Sequence, residues 1–439
     1  MKPRRILLAA AIVFVLFGYP GFLRGFDELF ESRTGDITDW GSPVFTEIWH
    51  VLDILFAGTA PMFVLQGGLL LAGSYALLRR VVPDRSAAWG TMLVLLAPPV
   101  IAATTYVGED ALLAGLLVTG FALALKEARW RRIAGVAALL LASTMREGAI
   151  VAVLPLVVAV PWATGRGRRL GVALAVWGTI LVLGFGLDRL VVDRRTQRRE
   201  VRLAMVDLIG TIANAGLDDA ALAELHLPFA VTTQIGARAK QAYAKREIDH
   251  GDHRLFEPAA DDTQGAVIAA RRTLSRAHPA AYFSHRVHEL AVLLGLRRDP
   301  HTRPVFFSEF APSKKIGFAY SQMAHHSLAQ KLLLWPVKLL SKTRLFRPYL
   351  FFFLAIVLLG IAVVRKHGLA GVILASGLGY ELVLGITTSD PGYTDSTWLM
   401  VATTLAAFAI ARCELEARNE RIGEQAPVGV ADDDRAQHR

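Results

Sequence analysis

The sequence predicts an all-α integral membrane protein of about ten transmembrane helices, with a mostly helical extracytoplasmic domain. Three observations predict it. Hydrophobic residues make up 53% of the 439-residue chain, and the mean hydropathy is +0.40, above what a soluble domain carries. Apolar runs near span length recur in both the first and the last part of the chain. Basic residues gather in alternate segments between those runs. The net charge of +10 then reads as orientation and contact with membrane lipids, and nucleic acid is not an expected partner. A single cysteine, Cys413, excludes an intramolecular disulfide and a Cys-rich zinc site.

Residues 1–187 form an N-terminal transmembrane module of about seven spans, with a first outer loop at 23–59. Met1-Lys2-Pro3-Arg4-Arg5 ahead of apolar residues 6–22 has the layout of a signal peptide. Gly18-Tyr19-Pro20-Gly21-Phe22 offers no small-residue cleavage site, so an uncleaved first span is expected. Further spans fall at 60–78, at 87–105 broken by Pro98-Pro99, and at 111–125, 133–145, 149–162 and 170–187. Proline is tolerated in a span where neighbours satisfy the freed carbonyls.

Between 188 and 347 charge rises and His, Pro and Asp become common, which marks an extracytoplasmic domain. The 3.6-residue apolar spacing and strong helix formers predict helices at 201–215, 219–225, 232–245 and 263–296. Residues 328–340 are amphipathic and Lys-bearing, broken at Trp335-Pro336, and suit the membrane interface. C-terminal transmembrane helices occupy 348–412, with spans at 349–364, 369–386 and 397–410. A charged tail at 413–439 is expected to be disordered and cytoplasmic.

Alternating these spans from an inside amino terminus puts Arg79/Arg80/Arg85, Lys126–Arg132, Arg166–Arg169, Arg365/Lys366 and Arg412 on the cytoplasmic face of the inner membrane. Both termini are then cytoplasmic. The same alternation brings Asp27/Glu28, Asp36/Asp39, Glu109/Asp110, Arg146/Glu147 and Asp390/Asp395 to the outer face, which makes that face the candidate active one.

Paired carboxylates at an outer membrane surface suit a transferase that takes a sugar from an isoprenoid phosphate. One carboxylate deprotonates the acceptor hydroxyl as it attacks the anomeric carbon, and an arginine neutralises the leaving phosphate. Asp36 and Asp39, three apart, share a face if their segment is helical. The plainer reading is that either caps a short helix entering Pro43.

Asp39-Trp40-Gly41-Ser42-Pro43-Val44, then Trp49, then Pro61-Met62-Phe63-Val64-Leu65-Gln66, resembles the Asp-Trp-His-Pro-Pro signature with following Leu-Gln of bacterial membrane proteins similar to the GT-C glycosyltransferases. That superfamily includes protein O-mannosyltransferases and aminoarabinose transferases. Phe26-Asp27-Glu28 is similar to the Asp-Glu pair those enzymes carry after their first span. Tyr106-Val107-Gly108-Glu109-Asp110-Ala111-Leu112-Leu113 resembles a pattern ending in Lys-Asp-Val-Leu, and Met145-Arg146-Glu147-Gly148-Ala149 an Arg-Asn-(Ala/Gly) element. His278-Pro279-Ala280-Ala281-Tyr282-Phe283-Ser284-His285-Arg286 resembles a His-Pro-x-x-Tyr-x-x-x-Arg element. Gly41, Glu109 and Glu147 depart from these patterns, as does Tyr393-Thr394-Asp395 where relatives carry Tyr-Arg-Tyr.

The resemblance implies a GT-C-like fold and transfer of a sugar from a polyprenyl-phosphate donor to a glycan, lipid or protein acceptor. On that model Asp39 is the base, Asp27, Asp36 and Asp110 are supporting acids or metal ligands, and Arg146 is the partner of the leaving phosphate. Glu28, Trp40, Glu109 and Tyr393 complete the candidate substrate contacts. The carboxylates leave room for a divalent cation without demanding one. The alternatives are a transporter or flippase of lipid-linked substrates, expected to carry polar residues at mid-span, and a non-catalytic membrane protein that retains the fold.

Other features have plainer readings. His285 and His288 share a helical spacing that can bind zinc but more often caps or faces solvent. Gly67-Gly68 and Gly377/Gly379 suit close helix packing. Arg271, Arg272 and Arg276 read as a solvated face, and Trp335 and Trp398 as interfacial aromatics.

Overall fold

The structure, a computed structural model, describes residues 1–23, 41–191, 199–224, 235–245, 261–297, 303–304, 327–389 and 391–425. Among them the chain is helical, and its one extended pairing is a backbone bridge between Phe22 and Tyr106.

Helix α1 (Pro3–Gly18) opens on a proline, which lacks only an N–H that the first turn leaves without a helical acceptor anyway. It buries Ile6, Ala10, Phe14 and Phe17, one stripe at helical spacing, and exposes Leu8, Ile12 and Leu16 on the other side. A helix apolar on both faces belongs in lipid. Helices α2 (Pro43–Leu55) and α3 (Ala60–Leu78) follow. The expected span at 87–105 is two helices, α4 (Asp84–Leu96) and α5 (Pro98–Thr104), bent by 66°. The bend falls where Pro98 and Pro99 cannot continue the hydrogen-bond ladder.

Helices α6 (Glu109–Ala124) and α7 (Arg129–Met145) cross closely. A Cβ on Gly135 would lie 2.4 Å from the Ala124 backbone nitrogen, so only a hydrogen fits there. Helix α8 (Ala149–Ala159) leads to α9 (Arg166–Val191), whose outward Leu174, Leu181, Leu183 and Phe185 are exposed. Such a surface requires a nonaqueous surround.

Helices between Arg199 and Leu293 gather around a second, smaller core. They are α10 (Arg199–Ala215), α11 (Asp219–Glu224), α12 (Ile235–Lys245), α13 (Asp261–Ala277) and α14 (Pro279–Leu293). Ala204, Leu208, Ile212, Leu222, Ala239 and Leu274 form that core. The single helix expected at 263–296 is broken at His278-Pro279, because the residue before a proline leaves the helical region. Asp207 is buried in this bundle and takes Arg271 at 2.6 Å, the Arg286 guanidinium, and His285 at 3.3 Å. Burial lowers the Arg271 pKa, but Tyr282 and Asp207 outweigh it and the net shift is upward. Arg271 is therefore a core ion-pair partner and not part of a solvated face. His285 meets the Tyr243 hydroxyl at 3.2 Å, and among the described residues no three His, Cys, Asp or Glu converge as a metal ion needs.

Helix α15 (Leu328–Ser341) starts on a capping box, Ser327 with Gln330, and runs unbroken through Pro336. The carbonyl that Pro336 displaces belongs to Leu332, which is exposed on the outer side. The C-terminal helices are α16 (Pro348–Val364), α17 (Gly368–Thr387) and α18 (Thr397–Gln425), the last preceded by a 3-10 turn at Thr394–Ser396. Helix α18 continues through Gln425, so residues 413–425, expected as a disordered tail, are helical. Trp398, expected at the interface, is buried and its indole N–H donates to the Ser376 hydroxyl at 3.1 Å.

Among the described residues four helices are long and apolar enough to cross a membrane, or five with the bent α4–α5 pair as one. Helices α8 and α16 are shorter and apolar. Helices α1, α6 and α7 have 16, 16 and 17 residues, about 24–26 Å at about 1.5 Å per residue, against a hydrocarbon core of about 30 Å. The chain is a membrane protein by its apolar helices and by the apolar side chains they turn outward.

Candidate active site

The N-terminus of α6 sets the site. Gly108 ends an extended stretch, and Glu109 and Asp110 occupy the first turn, where the helix dipole favours negative charge. The stretch before it is fixed from two directions. The Gln66 side-chain amide donates to the carbonyls of Thr104 (2.8 Å) and Tyr106 (2.7 Å). The Phe22 amide donates to Thr105, and Val107 donates back to Phe22, both at 2.9 Å. The Leu-Gln element thus aims the chain that carries the acids.

Arg146 caps the C-terminus of α7, the antiparallel neighbour of α6, where a cation is favoured. Its Nε lies 2.7 Å from Glu109 Oε1 and donates to Asp110 Oδ1 at 3.0 Å. Its Nη2 donates to Asp110 Oδ2 at 2.8 Å and to Asp395 Oδ1 at 3.0 Å. Asp110 and Asp395 are almost fully buried, while the Arg146 side chain keeps 22% of its surface exposed. Burial lowers the Arg146 pKa, but Asp110, Glu109 and Asp395 together hold it well above the ordinary arginine value. Three carboxylates around one guanidinium leave the cluster with a formal charge of −2 when all are ionised.

Asp395 comes from the 3-10 turn ahead of α18 and also accepts the Gly392 amide at 3.1 Å. Helix α17 supplies the back of the site. The Tyr380 hydroxyl donates to Asp110 Oδ1 at 3.4 Å, and the Ser396 hydroxyl donates to Glu381 Oε1 at 2.6 Å. The cluster therefore ties the ends of α6, α7 and α18 to the body of α17.

Of the residues singled out in the sequence, Glu109, Asp110 and Arg146 come together here. Asp27, Glu28, Asp36, Asp39 and Trp40 lie outside the described residues. The described residues that flank them attach beside the cluster. Phe22 is bonded two residues before Glu109, and the Ser42 hydroxyl donates at 3.0 Å to the carbonyl of Thr144, two residues before Arg146. Ser42 also caps α2 by accepting from the Phe45 amide at 3.2 Å. Tyr393 is buried, stacks near Phe346, and donates its hydroxyl to the Pro99 carbonyl at 3.1 Å. Burial pushes its pKa well above the usual tyrosine value. Glu147 is exposed.

Asp395 was placed on the outer face by the sequence without a role, whereas Tyr380, Glu381 and Ser396 were not singled out. Glu381 carried a signal, since an ionisable residue inside an apolar run marks a site. It is fully buried within α17, inside the apolar run read as the span at 369–386.

Helices bearing lipid-facing apolar surface, with a buried charged cluster at one end of the bundle, define a membrane protein with a polar centre at its boundary. No family model matches the chain, and no curated sequence matches it. In structure it is similar to ArnT from Cupriavidus metallidurans bound to undecaprenyl phosphate, with TM-score 0.35 and 18% identity over 97% of this chain and 80% of that one. It is also similar to the apo oligosaccharyltransferase of Archaeoglobus fulgidus, with TM-score 0.41 and 13% identity over 98% of this chain and 52% of that one.

Proposed function

We propose that the chain is a membrane glycosyltransferase that moves a sugar from a polyprenyl-phosphate donor to a glycan, lipid or protein acceptor outside the cytoplasmic membrane. The observation that carries this reading is the convergence of Asp110, Arg146 and Asp395 between the two attachment points of the acid-bearing loop. That loop holds Asp27, Glu28, Asp36 and Asp39. The motifs resembling GT-C enzymes fall on the same residues.

On this reading the roles divide. Both Asp110 oxygens accept from Arg146, and Oδ1 also accepts from Tyr380, so Asp110 acts as a positioning residue that fixes the guanidinium. The resemblance assigns the base to Asp39, which takes the acceptor's proton as its oxygen bonds to the anomeric carbon and the bond to the donor phosphate breaks. Arg146, with about a fifth of its side chain exposed, offers the cationic surface that the departing phosphate meets.

One observation favours a second reading, a membrane protein that keeps the helix arrangement without the chemistry. The three carboxylates already on Arg146 oppose a phosphate there. The deciding experiment compares cell-envelope glycans and isoprenoid-phosphate sugars in a deletion strain complemented with wild type or Asp39→Asn. Accumulated lipid-linked sugar in the deletion, uncorrected by the variant, supports the transferase. Unchanged glycans on deletion refute it, and full rescue by the variant removes Asp39 as the base.

A further inference from the structure

At the opposite end of the bundle from Arg146, an open cavity of about 830 Å³ lies between α8, α9, α16 and α17. Position 371 of α17, on its wall, and Glu381, at the site, are ten residues apart, about 15 Å along the helix. The apolar part of the lining is formed by Val158, Leu359, Val363 and Val372, with space left by Ala362 and Gly371. Around the mouth stand four basic side chains from two different loops: Arg166 and Arg169 from the start of α9, Lys366 and His367 from the turn before α17. A second, smaller cavity shares Arg169 and adds Arg80 to the rim.

Two of these groups already have structural work. Arg169 donates to the carbonyls of Val160 (3.2 Å) and Ala159 (2.5 Å), closing the end of α8, and His367 Nε2 lies 3.1 Å from Glu414 Oε1. Arg166 and Lys366 are exposed at the rim. A pocket of this size is within the range that holds an organic ligand. Its chemistry is split, apolar over part of the lining and cationic at the mouth, and its flanks α9 and α16 carry the exposed apolar side chains of the lipid-facing surface. A free anion would leave the apolar wall uncovered, and a neutral lipid would leave the basic rim unmatched.

We propose that this cavity is a binding site for an anionic glycerophospholipid of the adjoining leaflet, its phosphate held by Arg166 and Lys366 and its acyl chains laid against Val158, Leu359, Val363 and Val372. The site is separate from the Arg146 cluster and stands whether or not the transferase reading does. Arg169 and His367 shape the rim through their bonds to α8 and α18.

The test uses the full-length protein, delipidated in detergent, and measures binding of phosphatidylglycerol and phosphatidylcholine by native mass spectrometry. Phosphatidylglycerol is expected to bind more tightly, and Arg166→Gln with Lys366→Gln to weaken it about fivefold per charge removed, about thirtyfold together. Gly371→Leu is expected to weaken both lipids by filling the apolar part. A Cβ there meets Ala362 at an ordinary 3.7 Å, so the backbone accepts it. Arg131→Gln, a basic residue of the same end outside the cavity, is expected to change nothing, and unaltered thermal midpoints verify folding. Equal affinity for the two lipids, an equal loss with Arg131→Gln, or no loss with Gly371→Leu overturns the site. Tighter binding of undecaprenyl phosphate, or displacement by inorganic phosphate alone, overturns the assignment of its occupant.

Discussion

Replacing Arg146 by methionine keeps much of the side-chain volume and removes the one positive charge of the cluster. Each guanidinium–carboxylate contact, at charge separations of about 4 Å, is worth about 4 kcal/mol of attraction at an effective dielectric of about 20. Desolvation of the four groups offsets most of that sum. After the substitution Asp110 and Asp395 keep their burial and lose their counter-ion, which is the costly case, about 3–5 kcal/mol. Arg146→Lys is expected to fall between, because an ammonium cannot reproduce the forked contact with Asp110 while reaching Asp395. Glu109→Gln is expected to behave differently. It takes the cluster from −2 toward −1, so the repulsion it relieves offsets the contact it loses and the change stays within about 1 kcal/mol of zero. Denaturant or thermal unfolding of the three variants in one detergent reads the differences directly. A cost below about 1 kcal/mol for Arg146→Met, the value of a surface pair, or an equal cost for Glu109→Gln, refutes the reasoning.

Asp39→Asn is expected to lower sugar transfer by about 100-fold or more with an unchanged thermal midpoint, as measured on purified protein with a radiolabelled isoprenyl-phosphate sugar. Arg286→Met is expected to cost about 1.5–3 kcal/mol, because buried Asp207 loses one of its two guanidinium partners and keeps Arg271, and to release the Thr388 carbonyl that Arg286 holds at 2.9 Å. Limited proteolysis that opens the α10–α14 bundle before the transmembrane helices would show it. Gly135→Ala forces α6 and α7 apart and is expected to cost about 1–3 kcal/mol, read as a lowered unfolding midpoint.

Local chemistry was legible in the sequence wherever it was short-range. Pro98-Pro99 announced the break between α4 and α5, and the apolar runs announced most of the helices around it. Proline was misread in two places for the same reason: whether it ends a helix depends on what the displaced carbonyl meets. His278-Pro279 interrupts a helix, whereas Pro336 stays inside α15, where Leu332, the residue whose carbonyl it displaces, is exposed. The site was legible only in part. Asp110 and Arg146 stood out as polar residues at span ends, but their pairing joins positions 36 apart, and Arg146 meets Asp395 across 249. Such contacts depend on which helix ends adjoin, which hydropathy does not encode. Asp207 with Arg271 and Arg286 shows the same limit, since a basic face looks identical whether it meets water or a buried carboxylate.

Phe22 and Ser42 are each fastened to the wall of the bundle, which fixes the distance that the chain between them has to close. The entropy of closing such a connection grows only logarithmically with its length, by about 0.6 kcal/mol per doubling. A transplanted or lengthened connection between those two fasteners would therefore leave the helices nearly as stable as before while changing every group it presents. The two fasteners at Phe22 and Ser42 thus separate the stability of the helices from the sequence that joins them.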